Sequence, residues 1–177
     1  MRPSQALSHL VLLLVLTSAS ASVLEETCRL YGGDRYEYPH TYDYCIRFFR
    51  ASKDSAAADK HGLIFIAMGI SRATAVNTRR RIAALKAGGK DKKIQASLAA
   101  CDQLYSSAVG RIDEAARVIS SGKLFDALTS LGNNLAVGYN CEEQFRKTGV
   151  RYPLAEEEHV FFNESVFTKD LTARLWY

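Results

Sequence analysis

Proline is nearly missing from the interior of this chain. Of three prolines in 177 residues, Pro3 and Pro39 stand early and Pro153 stands near a late turn. Long stretches between them offer a helix no steric stop. Long apolar runs are scarce as well. Leu10–Leu16 is seven residues, far short of the ~20 that a membrane-spanning helix needs. Histidine is thin: His40, His61 and His159 are scattered beyond the first segment without metal-ligand spacing. No phosphate-cradling loop and no dinucleotide fingerprint occurs. "GISRA", Gly69–Ala73, approximates a nucleophile elbow but lacks its final glycine and sits in a helical pattern rather than at a strand-to-helix turn. Net charge is only +4, too little by itself to imply a nucleic-acid partner. These absences argue against an enzyme, a cofactor, a metal centre or a membrane protein.

What is present begins with a leader. "MRPSQALSHLVLLLVLTSASAS" joins a positive Arg2 to the apolar Leu10–Leu16 and the small residues Ala19-Ser20-Ala21. This is the pattern of a cleaved secretory signal, residues 1–21. The C-terminal "ARLWY" carries no anchor or retention signal, so a secreted, soluble protein of residues 22–177 is expected. A chain of that size fits one domain able to bury roughly 70% of its unfolded surface. Four cysteines lie in it. An even number in an oxidising compartment implies two disulfides, for which the count alone allows three pairings.

Three turn signals divide the rest: Gly88-Gly89, Ser120-Ser121-Gly122, and Thr148-Gly149 leading to Pro153. The stretch from Ile94 to Ile119 is the clearest helix. Ile94, Leu98, Cys101, Tyr105, Ala108, Ile112, Ala115 and Ile119 alternate steps of four and three, the seam of a bundle helix. Leu124, Leu128, Leu131, Leu135, Gly138 and Phe145 repeat the rhythm in the next. An earlier helix runs from about Asp59 to Ala87 with Leu63, Ala67, Ile70, Thr74 and Asn77 on one stripe. A last one starts near Pro153, where Glu156, Glu157 and Glu158 suit the positive end of the helix dipole, and carries Val160, Phe167, Leu171 and Leu175. Short connections favour antiparallel neighbours, so an all-α, up-down-up-down four-helix bundle over 59–176 follows.

Reflection about the turn at residues 121 and 122 carries Cys101 to about position 142, one residue from Cys141. Cysteines at matching height on facing helices can bond if their side chains aim at each other. Cys28 and Cys45 then remain as a pair, closing a helical hairpin over residues 22–52. That hairpin is too small to fold alone and is expected to dock on the bundle through Tyr31, Tyr42, Phe48 or Phe49.

"ETCRL…YDYC", "LAACDQLYSSAV" and "YNCEEQF" followed by "RYPL" resemble the plant invertase and pectin methylesterase inhibitors, over nearly all of Leu24–Leu175. The resemblance implies an N-terminal helical hairpin on a four-helix bundle, with cysteines paired first to second and third to fourth. It also implies a protein of the plant cell wall (apoplast) or vacuole that binds one enzyme, pectin methylesterase or an acid invertase, in a one-to-one complex that covers the active-site cleft. Invertase inhibitors often carry Pro-Lys-Phe near the turn after the second bundle helix. Here Lys123-Leu124-Phe125 stands instead.

The expected target-binding residues lie at that turn: Lys123, Phe125, Asp126 and Thr129, with Phe125 as apolar anchor. At the opposite end, Arg79, Arg80 and Arg81 join Lys86, Lys90, Lys92 and Lys93. This cluster is either a solvated helix end or a weak attachment to polyanionic pectin. Asn163-Glu164-Ser165 is a glycosylation sequon within the last helix. The expected function is steric inhibition of pectin methylesterase, with acid invertase as the alternative target. A non-inhibitory structural or ligand-carrying wall protein is the third reading.

Overall fold

The first four helices of this chain start at short polar side chains. In the computed structural model, which describes residues 22–33 and 41–176, Ser22 accepts from the backbone N–H of Glu25 and opens helix α1, Val23–Gly32. Thr41 does the same for α2, Tyr42–Phe49, through Tyr44 N–H. A 3-10 turn, Lys53–Ala57, leads to Asp59, whose carboxylate takes Gly62 N–H at 2.7 Å and caps α3, Lys60–Gly88. Asp91 accepts from Lys93 and Ile94 and caps α4, Lys92–Ile119. Each cap satisfies a backbone donor that the first helical turn leaves unpaired. Helices α5, Leu124–Gly132, α6, Val137–Arg146, and α7, Ala155–Leu175, complete the chain. The expected leader at 1–21, His40 within 34–40, and Tyr177 lie outside the described residues.

Four rods form the bundle: α3, α4, α5 with α6, and α7. Each packs on the next, and α7 closes back on α3. No strand occurs among the described residues. The α4 seam is as its periodicity indicates. Leu98, Cys101, Tyr105, Ala108, Ile112, Ala115 and Ile119 are buried, and Ile94 is half-buried.

The α3 stripe differs from expectation. Leu63 and Ala67 are buried, but Ile70 and Thr74 are half-buried and Asn77 is exposed. The buried positions are Leu63, Ile64, Ala67, Met68, Ser71, Ala75, Thr78 and Ile82. From Leu63 to Ile70 nearly every residue is apolar or glycine, so periodicity does not single out one face. Hydroxyl contacts to α7 fix the register. The Ser71 and Thr168 hydroxyls lie 2.8 Å apart, and Thr168 donates to the Ala67 carbonyl.

The third rod is interrupted. Between α5 and α6 the bonds from Asn134 to Leu131, Leu135 to Gly132 and Val137 to Asn134 tighten to three-residue spacing. Asn134 is buried, and its side-chain oxygen accepts from Arg111 Nε of α4 at 2.8 Å. Leu124, Leu128 and Leu135 are accordingly only half-buried, while Ala127, Leu131, Val137, Gly138, Cys141 and Phe145 face the core. On α7 the expected Val160 is exposed and its neighbour Phe161 is buried instead, against the Tyr105 ring at 5.4 Å.

Two disulfides join the rods and the hairpin: Cys28–Cys45 between α1 and α2, and Cys101–Cys141 between α4 and α6. The hairpin docks on one ring of α7. Around Phe167 stand Tyr31 at 4.6 Å, Tyr44 at 5.3 Å, Phe48 at 4.6 Å and Phe49 at 5.9 Å. Tyr42, expected among these, is exposed at the start of α2.

Candidate functional site

The turn that presents Phe125 is built by one glycine. At the end of α4, Gly122 takes a positive φ of +76°, which side chains with a Cβ rarely adopt. Its N–H bonds to Ile119 O at 2.8 Å, and Lys123 N–H bonds to Val118 O at 3.1 Å. These are the two bonds of a Schellman ending. They reverse the chain so that α5 starts at once with Leu124 turned partly inward and Phe125 outward. Phe125 is 80% exposed.

Lys123, Asp126 and Thr129 are exposed around that ring within one helical turn. Asp126 lies in the first turn of α5, where the helix dipole favours a carboxylate. The Thr129 hydroxyl donates to the Phe125 carbonyl at 2.9 Å, which satisfies it without a tertiary partner. Glu114 and Arg117 of α4 form an exposed pair beside Lys123. The four expected residues are thus together on one solvent-facing surface.

That surface continues along the third rod. Asn133, Ala136, Tyr139 and Asn140 are exposed in turn, Tyr139 to 66%. One helical turn from Phe125 stands Thr129. Two further heptad steps reach Ala136 and Tyr139, which are exposed on the same side. Behind Asn140 an open groove of about 530 Å³ separates α4 from α6, lined by Gln103, Leu104, Ser107, Asn140, Gln144 and Lys147 among others. The Cys101–Cys141 bond ties its two walls on the core side.

The basic end is some 40 Å away along α4, at 1.5 Å per residue. Its arginines are engaged within the chain. Arg79 pairs with Asp102 at 2.7 Å, Arg81 approaches Glu157 at 3.6 Å, and Arg80 donates to Asn77.

Catalytic geometry is not found at the sequence features that suggested a test for it. Ser71 of "GISRA" is buried, lies in α3, and spends its hydroxyl on α7. His61 stacks on Trp176, and His159 faces the Asn163 amide. Among the described residues no group of three or more His, Cys, Asp or Glu could hold a metal. Buried titratable groups do exist. Tyr105 and Tyr152 are raised chiefly by burial, and Glu158 is raised by burial and by Glu142. Of these only Tyr105 is fully buried, on α4, while Tyr152 and Glu158, before and within α7, are half-buried. Asn163 of the sequon is 5% exposed, and its amide donates to the His159 carbonyl at 2.8 Å.

Two solved structures share this architecture. One is a pectin methylesterase inhibitor from Arabidopsis thaliana, 16% identical, aligned over 86% of this chain and 95% of that one with a TM-score of 0.60. The other is a mutant form of a pectin methylesterase inhibitor from Arabidopsis, 17% identical, over 88% and 98%, with a TM-score of 0.66. A search among curated proteins finds no match. The plant invertase/pectin methylesterase inhibitor model matches residues 22–172; with its helical hairpin, four-rod bundle and two disulfides, the chain belongs to that family.

Proposed function

We propose that this protein inhibits a pectin methylesterase by steric block. The outer face of α4, α5 and α6 seats over the enzyme's cleft in a one-to-one complex and keeps the polymer out. The observation that carries this reading is Phe125. It is a large aromatic, 80% exposed, held by a Schellman turn on a hairpin tied by Cys101–Cys141. A rigid anchor loses less entropy on association than a mobile one. Lys123, Asp126 and Thr129 orient the contact, and Tyr139 extends it along the rod.

The choice of target is supported by the two solved neighbours, both named as pectin methylesterase inhibitors. Lys123-Leu124-Phe125, which lacks the Pro-Lys-Phe of many invertase inhibitors, points the same way. Acid invertase is the second reading, because Lys123 and Phe125 still stand at that turn. Secretion to the cell wall or vacuole accompanies either target, and no described helix is long and apolar enough to cross a membrane. The basic end adds a weak attraction for demethylated pectin, carried by Lys86, Lys90, Lys92 and Lys93 rather than by the paired arginines. Residual activity of each enzyme against added inhibitor tests the reading. Inhibition of neither by folded protein would favour a non-inhibitory wall protein.

A further inference from the structure

The groove between α4 and α6 has two facing walls of the same chemistry. Gln103 and Ser107 come from α4, Asn140 and Gln144 from α6, and Ala100 and Leu104 add an aliphatic base. On each helix the two polar groups stand one turn apart and so point the same way. Gln103, Ser107 and Asn140 are exposed. Gln144 donates from Nε2 to the Asn140 carbonyl at 3.3 Å, which leaves its side-chain oxygen to accept. The walls are fixed from behind. The Ser97 hydroxyl donates to the Gln144 carbonyl at 3.1 Å, and Cys101–Cys141 ties α4 to α6. Charge is uneven along the groove. Glu143 is held by Arg146 at 2.6 Å and also lies in the field of Lys147, so the Lys147 end carries a net positive charge. Glu142 is turned to the other side, where it acts on Glu158 of α7. The Ser97–Gln144 contact sets Lys93, one turn before Ser97, level with the residues one turn after Gln144. The groove therefore opens onto the basic end of the bundle.

We propose that this groove binds a short acidic oligosaccharide, a uronic-acid di- or trisaccharide. Its ring faces lie on Ala100 and Leu104, its hydroxyls meet Gln103, Asn140 and Gln144, and one carboxylate meets Lys147. The chemistry selects this class. A carboxamide donates and accepts at once, as a sugar hydroxyl does, and carboxamides on both walls suit a ligand with hydroxyls along both edges. A peptide held by apolar side chains needs a closed pocket for its anchors, whereas this groove is open along its length. A neutral sugar leaves Lys147 unused. From Asn140 to Lys147 the wall runs about 10 Å, enough for a di- or trisaccharide, and 530 Å³ is in the range of small-ligand sites. This site depends on Gln103 and Asn140, unlike the attraction carried by Lys86, Lys90, Lys92 and Lys93. It needs no enzyme and does not rest on the inhibitory reading.

The experiment titrates tri-galacturonic acid into isotopically labelled full-length protein at about pH 6, where its carboxylates are ionised. Salt at about 0.1 M screens long-range attraction. The side-chain amide signals of Gln103, Asn140 and Gln144 are followed, with maltotriose as the neutral trisaccharide and tri-glutamate as the acidic peptide. Saturable shifts of these signals are expected with tri-galacturonate alone. Read on Gln144, affinity should fall at least about tenfold in Gln103→Ala/Asn140→Ala, which removes two hydrogen-bonding groups. Both positions are exposed, so this variant keeps its fold. Lys147→Gln should cost about threefold, the loss of one exposed charge contact. Replacing Lys90, Lys92 and Lys93 by glutamine should leave the shifts in place, and their disappearance would move the ligand to the basic end and overturn the groove. No saturable shift, equal shifts with maltotriose or tri-glutamate, or undiminished affinity in the double variant would each overturn it as well.

Discussion

Single side chains here do their work by where they are left, in or out of solvent. Phe125 is outside, so its truncation removes contact with a partner and almost nothing from the fold. Phe125→Ala should weaken inhibition by about 1–3 kcal/mol with the melting temperature nearly unchanged; a large loss of stability would show that the ring packs in solution. Glu164 is inside. Burial pushes its carboxyl from the ordinary 4.5 up to about 7, so in that window the folded chain holds a proton the unfolded chain has released. Stability therefore falls as pH rises from about 4.5 towards 7, by an amount on the order of 2–3 kcal/mol. Glu158, raised by burial and by Glu142, acts in the same direction. Urea midpoints across this range should flatten in Glu164→Gln, and an unaltered slope would contradict the assignment. Asn163 is inside as well, with its amide spent on the preceding turn. A glycan there would hold α7 off the bundle, so intact mass of protein expressed in a glycosylating host should show none at this asparagine. A glycopeptide containing Asn163 would refute this.

Elements were legible in the sequence in proportion to how uneven their faces are. Helix α4 has charged and polar residues on every side but one, and its seam reads directly from Leu98 to Ile119. The start of α3 is apolar all round, so its register depends on Ser71 and Thr168, two hydroxyls far apart in sequence that periodicity cannot pair. The break in the third rod was signalled by Gly132-Asn133-Asn134 but masked by the leucine rhythm that spans it. Its cause, the buried Asn134–Arg111 contact, is tertiary. The same limit applies to Phe167, whose role as the socket for the hairpin depends on four rings from other helices. The Cys101–Cys141 staple was within reach because a short turn makes helix pairing a matter of reflection. It closes a loop with sequence separation 40, and the loop-entropy model gives about 4 kcal/mol for that length. The double variant Cys101→Ala/Cys141→Ala should lower the free energy of chemical unfolding by about that amount. A change within error would mean that α4 and α6 hold each other without the bond.

At the scale of the molecule, the two long faces of the bundle are covered differently. The hairpin of α1 and α2 covers one end of the α3–α7 side through Phe167. Among the described residues the α4–α6 side carries no such cover, and it presents Phe125 and Tyr139 on a frame held by a disulfide, a Schellman turn and the core. Rigid, exposed and tied from behind, that face suits a protein that acts by occupying another protein's cleft. The most direct measurement is a titration of pectin methylesterase activity with the purified inhibitor, run in parallel with acid invertase. Loss of the esterase activity near one equivalent, with invertase untouched, is the expected result. Loss of invertase activity alone would contradict the assigned target, and both enzymes fully active beside folded protein would contradict inhibition itself.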